Sequence, residues 1–216
     1  MIPLRDTVPS ATFPVVNLAI IAANVLVFLY QLSLGPRFEA FLYTYGLVPR
    51  HFALTSLLTS MFLHGGWFHL LGNMLYLYIF GDNVEDRLGH VRYLVFYLLC
   101  GAAAGAAQAW TSPHSGLPMV GASGAIAGVS GAYFLFFPTS RVVTLVPIFF
   151  FLQVVEVPAV FFLAIWFVWQ FVSGVAMLGE KSDVGGVAFW AHVGGFLTGM
   201  VLAPALRERA APSGWI

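Results

Sequence analysis

The chain has 216 residues, of which 60% are hydrophobic and only 8% are charged, whereas soluble globular proteins carry roughly 25% charged residues. This composition excludes an ordinary soluble enzyme and is typical of a membrane protein with several spans. The basic and acidic side chains number nine each, so the net charge of zero gives no reason to expect a nucleic-acid partner, and the single cysteine, Cys100, excludes an internal disulfide.

Six apolar segments follow a short polar tail of residues 1–12. A helix needs about 20 apolar residues to cross the hydrocarbon core of a bilayer. The first segment is too long for a signal peptide and is expected to remain as an anchor. We therefore predict an all-α polytopic membrane protein, a six-transmembrane-helix bundle that forms a single domain over residues 1–216. The predicted spans cover residues 13–34, 67–80, 91–110, 120–137, 158–178 and 187–206.

Amide side chains recur in the first span at Asn17, Asn24 and Gln31. Their sevenfold spacing places them on one face of a helix. Polar side chains avoid lipid because an unpaired polar group in hydrocarbon is costly. We therefore predict that this face is turned toward the inside of the bundle.

Two connections are longer than simple turns. Residues 35–61 contain several aromatic side chains, which favour the membrane–water interface, so we predict an interfacial first loop. Residues 142–155 are apolar but too few to cross a bilayer comfortably, and we predict a short interfacial or re-entrant piece. For Glu156, which follows, a buried structural partner and an interfacial anchor remain equally plausible.

The loop charges favour one orientation of the predicted bundle. Six spans place both termini on the same side, and basic residues are enriched in cytoplasmic loops. Both termini are therefore predicted in the cytoplasm, although the inverted topology stays open. The basic residues on the predicted inner side are Arg5, Arg87, Arg92, Arg141, Arg207 and Arg209, and those on the outer side are Arg37, Arg50 and Lys181.

Polar residues lie near the start of each even-numbered span. Ser123 begins the fourth span between Gly121 and Gly124, and on its own this pattern is explained by close packing of helices. His69 begins the second span and His192 the sixth. Even-numbered spans run in the same direction, and a helix rises 1.5 Å per residue, so these side chains should lie within roughly 10 Å in depth.

Small residues predict how two of these spans meet. Gly124 and Gly128 form a smooth stripe on the fourth span, and Gly195 and Gly199 form a matching stripe on the sixth. Such stripes allow close contact between helix backbones. We expect this packing to bring Ser123 toward His192.

These residue types suit nucleophilic catalysis. A serine hydroxyl becomes a nucleophile when a neutral histidine takes its proton, which is the role predicted for Ser123 and His192. The resulting oxyanion needs fixed donors, and Asn73 and His69 offer side-chain N–H groups one helical turn apart. No cofactor is expected. A metal site is not expected either, because His64 and His69 share no helical face and no other ligand cluster is present.

Together these motifs resemble those of the rhomboid intramembrane serine proteases of the compact six-span kind. The resemblance implies that Ser123 is the nucleophile, that His192 is the general base without an acidic third member, and that His69 and Asn73 stabilise the oxyanion. It also implies cleavage of transmembrane protein substrates within the lipid bilayer, with the fifth span and outer loops as the gate. The motifs are His64-Gly65-Gly66-Trp67-Phe68-His69-x-x-x-Asn73, Glu85-Asp86-Arg87-Leu88-Gly89, Gly121-Ala122-Ser123-Gly124 and Ala191-His192-x-Gly194-Gly195 with Gly199.

Two positions depart from the family pattern. Many relatives carry an aromatic residue four positions after the serine, against which the histidine packs, whereas this chain has Ala127. Trp190 or Tyr133 could orient His192 instead, or the ring could be held less firmly; Asp183 could also do so, although a surface loop role is favoured for it. Many relatives have a Trp-Arg pair in the first loop where this chain has Thr55-Ser56.

Two other functions are weighed against proteolysis. A catalytically silent relative would bind or escort membrane proteins, but such relatives are expected to lack the serine or the histidine that this chain keeps. A small-solute transporter would often show internal repeats, and none is clear. By family analogy we expect a multi-pass protein of the bacterial plasma (inner) membrane. The sequence indicates neither the substrate nor the oligomeric state.

Overall fold

The computed structural model describes residues 1–148, 151–178 and 187–208. Within these ranges the chain is mostly helical, with one small sheet. The helices are α1 Val15–Ser33, α2 Phe38–Tyr45, α3 Ser56–Thr59, α4 Trp67–Leu88, α5 His90–Thr111, α6 Ser123–Phe136, α7 Ala159–Met177 and α8 Phe189–Leu206. The strands are β1 Ile2–Asp6, β2 Arg141–Ile148 and β3 Phe151–Pro158.

Four of these helices, α1, α5, α7 and α8, are long and apolar enough to cross a membrane. Their exposed surfaces are largely apolar side chains, and water does not solvate such surfaces favourably. The chain is therefore an integral membrane protein. The remaining two predicted spans contain α4, whose last turns are charged, and α6, which has 14 residues.

Helix α4 continues well beyond the predicted boundary at residue 80 and includes the charged residues Asp82, Glu85, Asp86 and Arg87. It ends where Gly89 adopts φ +77, a left-handed conformation that costs glycine little and stops helices. Glu85 is 1% exposed, and its carboxylate accepts the N–H groups of Val16 at 3.0 Å and Asn17 at 2.7 Å. The charge is tolerated inside the fold because it caps the N-terminus of α1.

The amide face of α1 is turned inward, as the sequence predicts. Asn17, Asn24 and Gln31 are each at most 1% exposed. Asn17 donates to the carbonyl of Leu77 at 3.0 Å and accepts from the Tyr93 hydroxyl at 2.8 Å. These bonds connect α1 to α4 and α5.

A three-stranded antiparallel sheet, in the order β1-β2-β3, corrects the all-α prediction. Within residues 142–155, the described residues lie in β2 and β3 and are therefore extended; the interfacial or re-entrant placement stays a prediction. The run is rich in β-branched residues, which pack well on a pleated surface. Glu156 lies opposite Val143 in the sheet. Its side chain is half exposed, and its carboxylate is 3.9 Å from Nε of Arg141. The interpretation of Glu156 as a buried structural partner is therefore wrong.

Helix α6 lies at the centre of the bundle, and every residue from Gly124 to Tyr133 is buried. It packs directly on α8: a Cβ atom at Gly195 would lie 2.0 Å from the carbonyl oxygen of Gly124, and one at Gly199 would lie 2.0 Å from that of Gly128. Only glycine permits such contact between helix backbones. The same contact sets Ser123 and His192 side by side, since each is in the first turns of its helix.

Candidate active site

A tight turn precedes Ser123, the first residue of α6. Gly121 has φ +124, and its N–H donates to the carbonyl of Ser60 at 2.9 Å. A Cβ atom at Gly121 would lie 2.6 Å from Nε2 of His69, so both the backbone conformation and the space require glycine. The turn presents Ser123 at a helix N-terminus, where the first N–H groups have no partner within the helix.

Ser123 and His192 form a direct hydrogen bond. Oγ of Ser123 lies 2.8 Å from Nε2 of His192, and the histidine is 8% exposed. This geometry allows the hydroxyl to donate to an unprotonated Nε2, which is the arrangement that proton transfer from serine to histidine needs.

The other side of the His192 ring is held by α7. Its Nδ1 lies 2.7 Å from Oε1 of Gln170. The ring also lies against Trp166, with centroids 5.7 Å apart and planes inclined by 36°. Both contacts come from one face of α7, because the two residues are one helical turn apart.

Trp190 and Tyr133, the two side chains proposed from sequence to orient His192, have other hydrogen-bond partners. Nε1 of Trp190 donates to the carbonyl of Gly174 at 3.2 Å. The Tyr133 hydroxyl binds Asp6 and Ser140, beyond the far end of α6 from the site. Both assignments are therefore wrong, and Asp183 lies outside the described residues.

Sequence reasoning missed Gln170, although a signal was present. It carries the single amide of a helix that is otherwise almost entirely apolar, and polar residues within membrane helices usually have a structural or functional partner. Trp166 had no comparable signal, because α7 contains six aromatic residues and half of them are exposed.

Ala127 occupies the position at which the family resemblance leads one to expect an aromatic ring. It is 1% exposed, and a Cβ atom at Gly195 on α8 would lie only 3.3 Å from its Cβ. A large ring at this position has no space between α6 and α8 as they pack here. The ring that contacts His192 comes instead from Trp166.

Asn73 and His69 lie on the α4 side of Ser123. Nδ2 of Asn73 is 2.9 Å from Nε2 of His64 and would be 3.5 Å from a Cβ atom at Gly121. Burial lowers the pKa of His64 to about 4, so its neutral ring can accept a hydrogen bond from the Asn73 amide. The second N–H of Asn73 is left for a ligand.

His64 is fully buried and fixes the loop before α4. Its backbone N–H donates to Oε1 of Gln31 at 3.1 Å, and its carbonyl accepts from Nε2 of the same amide at 3.2 Å. Its ring meets that of His69 edge to face at 5.1 Å. His64 thus holds this loop against α1 through its backbone and contacts Asn73 through its ring.

These side chains face one cavity of about 680 Å³. Its wall combines the polar groups with the small residues Gly101, Ala104 and Gly105 of α5 and with apolar side chains. Concave, mostly apolar cavities with a few convergent polar groups are typical of binding sites. The polar side chains that line it include His69, Asn73, Ser123 and His192, together with Ser60, Tyr76 and Ser130.

The fold and this site define a class: a mostly helical integral membrane protein with a serine–histidine pair facing a partly open cavity. The model of the Rhomboid domain matches residues 51–209, well over half of the chain. The chain therefore belongs to the rhomboid family. Ser123, His192, His69 and Asn73 all lie within the matched range.

Curated proteins similar in sequence to this chain also carry rhomboid names. Rhomboid protein 1, mitochondrial, of Saccharomyces cerevisiae is 32% identical over 59% of this chain and 38% of its own length. Rhomboid-like protein 11, chloroplastic, of Arabidopsis thaliana is 36% identical over 41% of this chain and 30% of its own. Rhomboid protease GluP of Bacillus subtilis is 43% identical over 35% of this chain and 14% of its own. The chain thus spans less than half the length of these relatives.

Proposed function

We propose that this chain is an intramembrane serine endopeptidase that cleaves transmembrane segments of membrane proteins. The observation that carries the proposal is the 2.8 Å contact between Oγ of Ser123 and Nε2 of His192 at a partly open cavity. Membership of a family in which relatives such as GluP are named proteases supports it.

In the proposed reaction, Oγ of Ser123 attacks the carbonyl carbon of the scissile peptide bond while its proton passes to Nε2 of His192. The oxyanion that forms is stabilised by Asn73, His69 and the backbone N–H of Ser123 at the start of α6. Collapse of the intermediate breaks the C–N bond, and His192 gives its proton to the leaving amine. Water then hydrolyses the acyl-enzyme by the same route.

We further propose that α4 and α6 also cross the membrane, which makes six spans in a single domain over residues 1–216. With 22 residues, α4 is about 33 Å long, enough for the hydrocarbon core. Helix α6 is shorter but enclosed by other helices, so it need not meet lipid along its length. The positive-inside rule places both termini in the cytoplasm and the Ser123 end of α6 toward the outside.

The proposed membrane is the bacterial plasma membrane, by analogy with relatives from Bacillus subtilis. Relatives named mitochondrial or chloroplastic show that the family also occurs in organelles. Substrates are membrane proteins that reach the cavity from the bilayer, because α7, on one side of the cavity, is largely exposed to lipid.

The test is cleavage of a model single-span substrate by purified protein in proteoliposomes. Ser123→Ala should lose activity by ~10⁴-fold or more, because the nucleophile is removed, and should not react with a fluorophosphonate probe. The matched control is Ser130→Ala, which removes a buried hydroxyl from the same helix and cavity and should keep most activity.

Cleavage that is equal in wild type and Ser123→Ala would refute the assignment of Ser123. If neither protein cleaves or labels while both are folded by circular dichroism, the chain is not a protease under those conditions. Retained binding of membrane proteins by Ser123→Ala would then favour the catalytically silent escort function.

A further inference from the structure

Gln170 is a polar side chain on the buried face of α7, a helix whose other faces expose apolar side chains. It is 7% exposed, whereas its neighbours Trp169 and Phe171 are 68% and 45% exposed. An amide buried in an apolar environment costs free energy unless it is hydrogen-bonded. Gln170 therefore needs a partner, and the partner is a ring nitrogen of the catalytic histidine proposed above.

The two hydrogen bonds of His192 fix its tautomer. With the Gln170 amide oriented so that Oε1 faces the ring at 2.7 Å, that oxygen accepts and Nδ1 carries the proton. Nε2 then has a free lone pair directed at Oγ of Ser123 at 2.8 Å. With the reverse tautomer, the Nε2 proton would face the serine, and His192 would have no site to accept the serine proton.

We propose that Gln170 is a positioning residue that acts through His192, holding the ring in the orientation and tautomer that leave Nε2 free for Ser123. The role corresponds to that of an acidic third residue in serine–histidine catalysis, but a neutral amide performs it. This inference rests on the proposed protease function and concerns the same site.

The position of Gln170 on α7 connects the alignment of His192 to the packing of that helix. Trp166, one turn earlier, lies against the His192 ring. Gly174, one turn later, accepts the hydrogen bond from Trp190 on α8. These three contacts lie along one face of α7, so movement of α7 away from α8 separates Gln170 from His192 and leaves the ring unsupported. The base is correctly aligned only when α7 is packed against α8.

The expected effect is smaller than the loss of an acidic partner. A carboxylate both orients the histidine and stabilises its protonated form, and removing it costs about 10⁴-fold in kcat. Gln170 orients without charge, so we expect Gln170→Leu to lower kcat by ~10- to 100-fold with little change in KM.

Gln170→Glu separates positioning from simple packing. The carboxylate can accept the same Nδ1 proton, so most activity should return relative to Gln170→Leu. Its charge also stabilises the protonated ring, so the acid limb of the pH–rate profile should move to higher pH. In the part of the chain that the structure describes, the other titratable side chain acting on His192 is His69 on α4; the groups facing it from α6 and α7 are Ser123, Trp166 and Gln170.

The experiment compares wild type, Gln170→Leu, Gln170→Glu and Ser173→Ala, measuring kcat, KM and fluorophosphonate labelling rate across pH in proteoliposomes. Ser173→Ala is the control because it removes the other polar side chain in the membrane part of α7 and should behave as wild type. Wild-type kcat and pH profile in Gln170→Leu would overturn the proposal. Equal losses in Gln170→Leu and Gln170→Glu, with an unshifted pH profile, would show a structural role only and also overturn it.

A second readout does not depend on proteolysis. In the Ser123→Ala background, ¹⁵N NMR of histidine-labelled protein reports which ring nitrogen of His192 carries the proton. We expect the Nδ1–H form, with Gln170→Leu shifting the population toward the Nε2–H form. The Nε2–H form with Gln170 intact would overturn the inference even if the protein cleaves substrate. The Nδ1–H form in a protein that cleaves nothing would support the positioning role of Gln170 and refute the proposed protease function.

Discussion

The two ends of the bundle use buried polar groups in different ways. At the sheet end, where β1–β3, the end of α4 and the start of α1 meet, the carboxylate of Glu85 binds backbone N–H groups of Val16 and Asn17. It also contacts Nδ1 of His90 at 2.5 Å. At the site end, where α6 and α8 begin, side chains bind each other, as Ser123 does with His192 and His192 with Gln170. Backbone donors are fixed by the helix that carries them, whereas side chains facing a cavity can exchange partners with a ligand. The first arrangement suits stability and the second suits chemistry.

If this contrast is correct, the largest effect on turnover outside the serine–histidine pair should come from Asn73→Ala. Removal of one oxyanion donor costs about 10²- to 10³-fold in kcat, while the free energy of unfolding should fall by only ~1 kcal/mol for the lost bond to His64. The measurements are kcat on a single-span substrate and unfolding in mixed micelles.

Asn24→Ala is the control for Asn73→Ala. Asn24 is also fully buried, but its amide donates to the carbonyl of Ile20 within α1, away from the cavity. It should lower stability by a similar amount and leave kcat unchanged. Unchanged kcat in Asn73→Ala would remove Asn73 from the proposed oxyanion site.

At the sheet end, Glu85→Gln should have the opposite signature. The amide keeps one acceptor but sets an N–H₂ group against a backbone donor and removes the charge from the N-terminus of α1. We expect a loss of ~2 kcal/mol in the free energy of unfolding, with kcat of the folded protein unchanged.

The matched control for Glu85→Gln is Glu39→Gln, which makes the same substitution at an exposed position on α2. Its stability should stay within ~0.5 kcal/mol of wild type. If Glu85→Gln has the same free energy of unfolding as Glu39→Gln, or loses turnover while remaining stable, the proposed difference between the two ends of the bundle is wrong.

The sequence predicts the long helices well because their signals are local. The predicted first and fifth spans, residues 13–34 and 158–178, differ from α1 and α7 by at most two residues at either end. The inward amide face of α1 follows from its sevenfold spacing alone. The predicted end of α4 is too early because a charged residue such as Glu85 usually indicates a solvent-exposed turn. Its backbone partners, Val16 and Asn17, are far away in sequence and leave no local signal.

The sheet and the surroundings of His192 depend on contacts that one sequence does not encode in its spacing. Strand β1 pairs with β2, from the opposite half of the chain, and no local pattern in the N-terminal tail predicts that. Likewise, Gln170 was visible as an isolated amide, but only the packing of α7 against α8 gives it His192 as a partner. Ser123 and His192 could be identified from their residue types and their expected depth in the membrane. The side chains that hold His192, Gln170 and Trp166, could not.

Asp6 gives the smallest predicted effect and tests whether every carboxylate at the sheet end stabilises the fold as Glu85 does. Its carboxylate accepts from the Tyr133 hydroxyl at 2.5 Å and from the backbone of Val8. Burial, with a contribution from the Asp82 carboxylate, outweighs these hydrogen bonds and raises its pKa to about 6. A carboxyl whose pKa is higher in the folded protein favours folding when protonated, so its contribution is complete below about pH 4 and is lost as pH rises through 6.

Asp6→Asn should therefore flatten the fall in stability between pH 4 and pH 7 and be slightly more stable than wild type at pH 7. Comparing thermal unfolding of the two proteins at both pH values isolates this residue, because the other titrating groups are common to both. An unchanged pH dependence, or a loss of stability at pH 7, would mean that Asp6 acts as an ionised anchor like Glu85. The expected result would instead show that the ionised carboxylate of Asp6 weakens the fold, because burial costs its charge more free energy than its hydrogen bonds return.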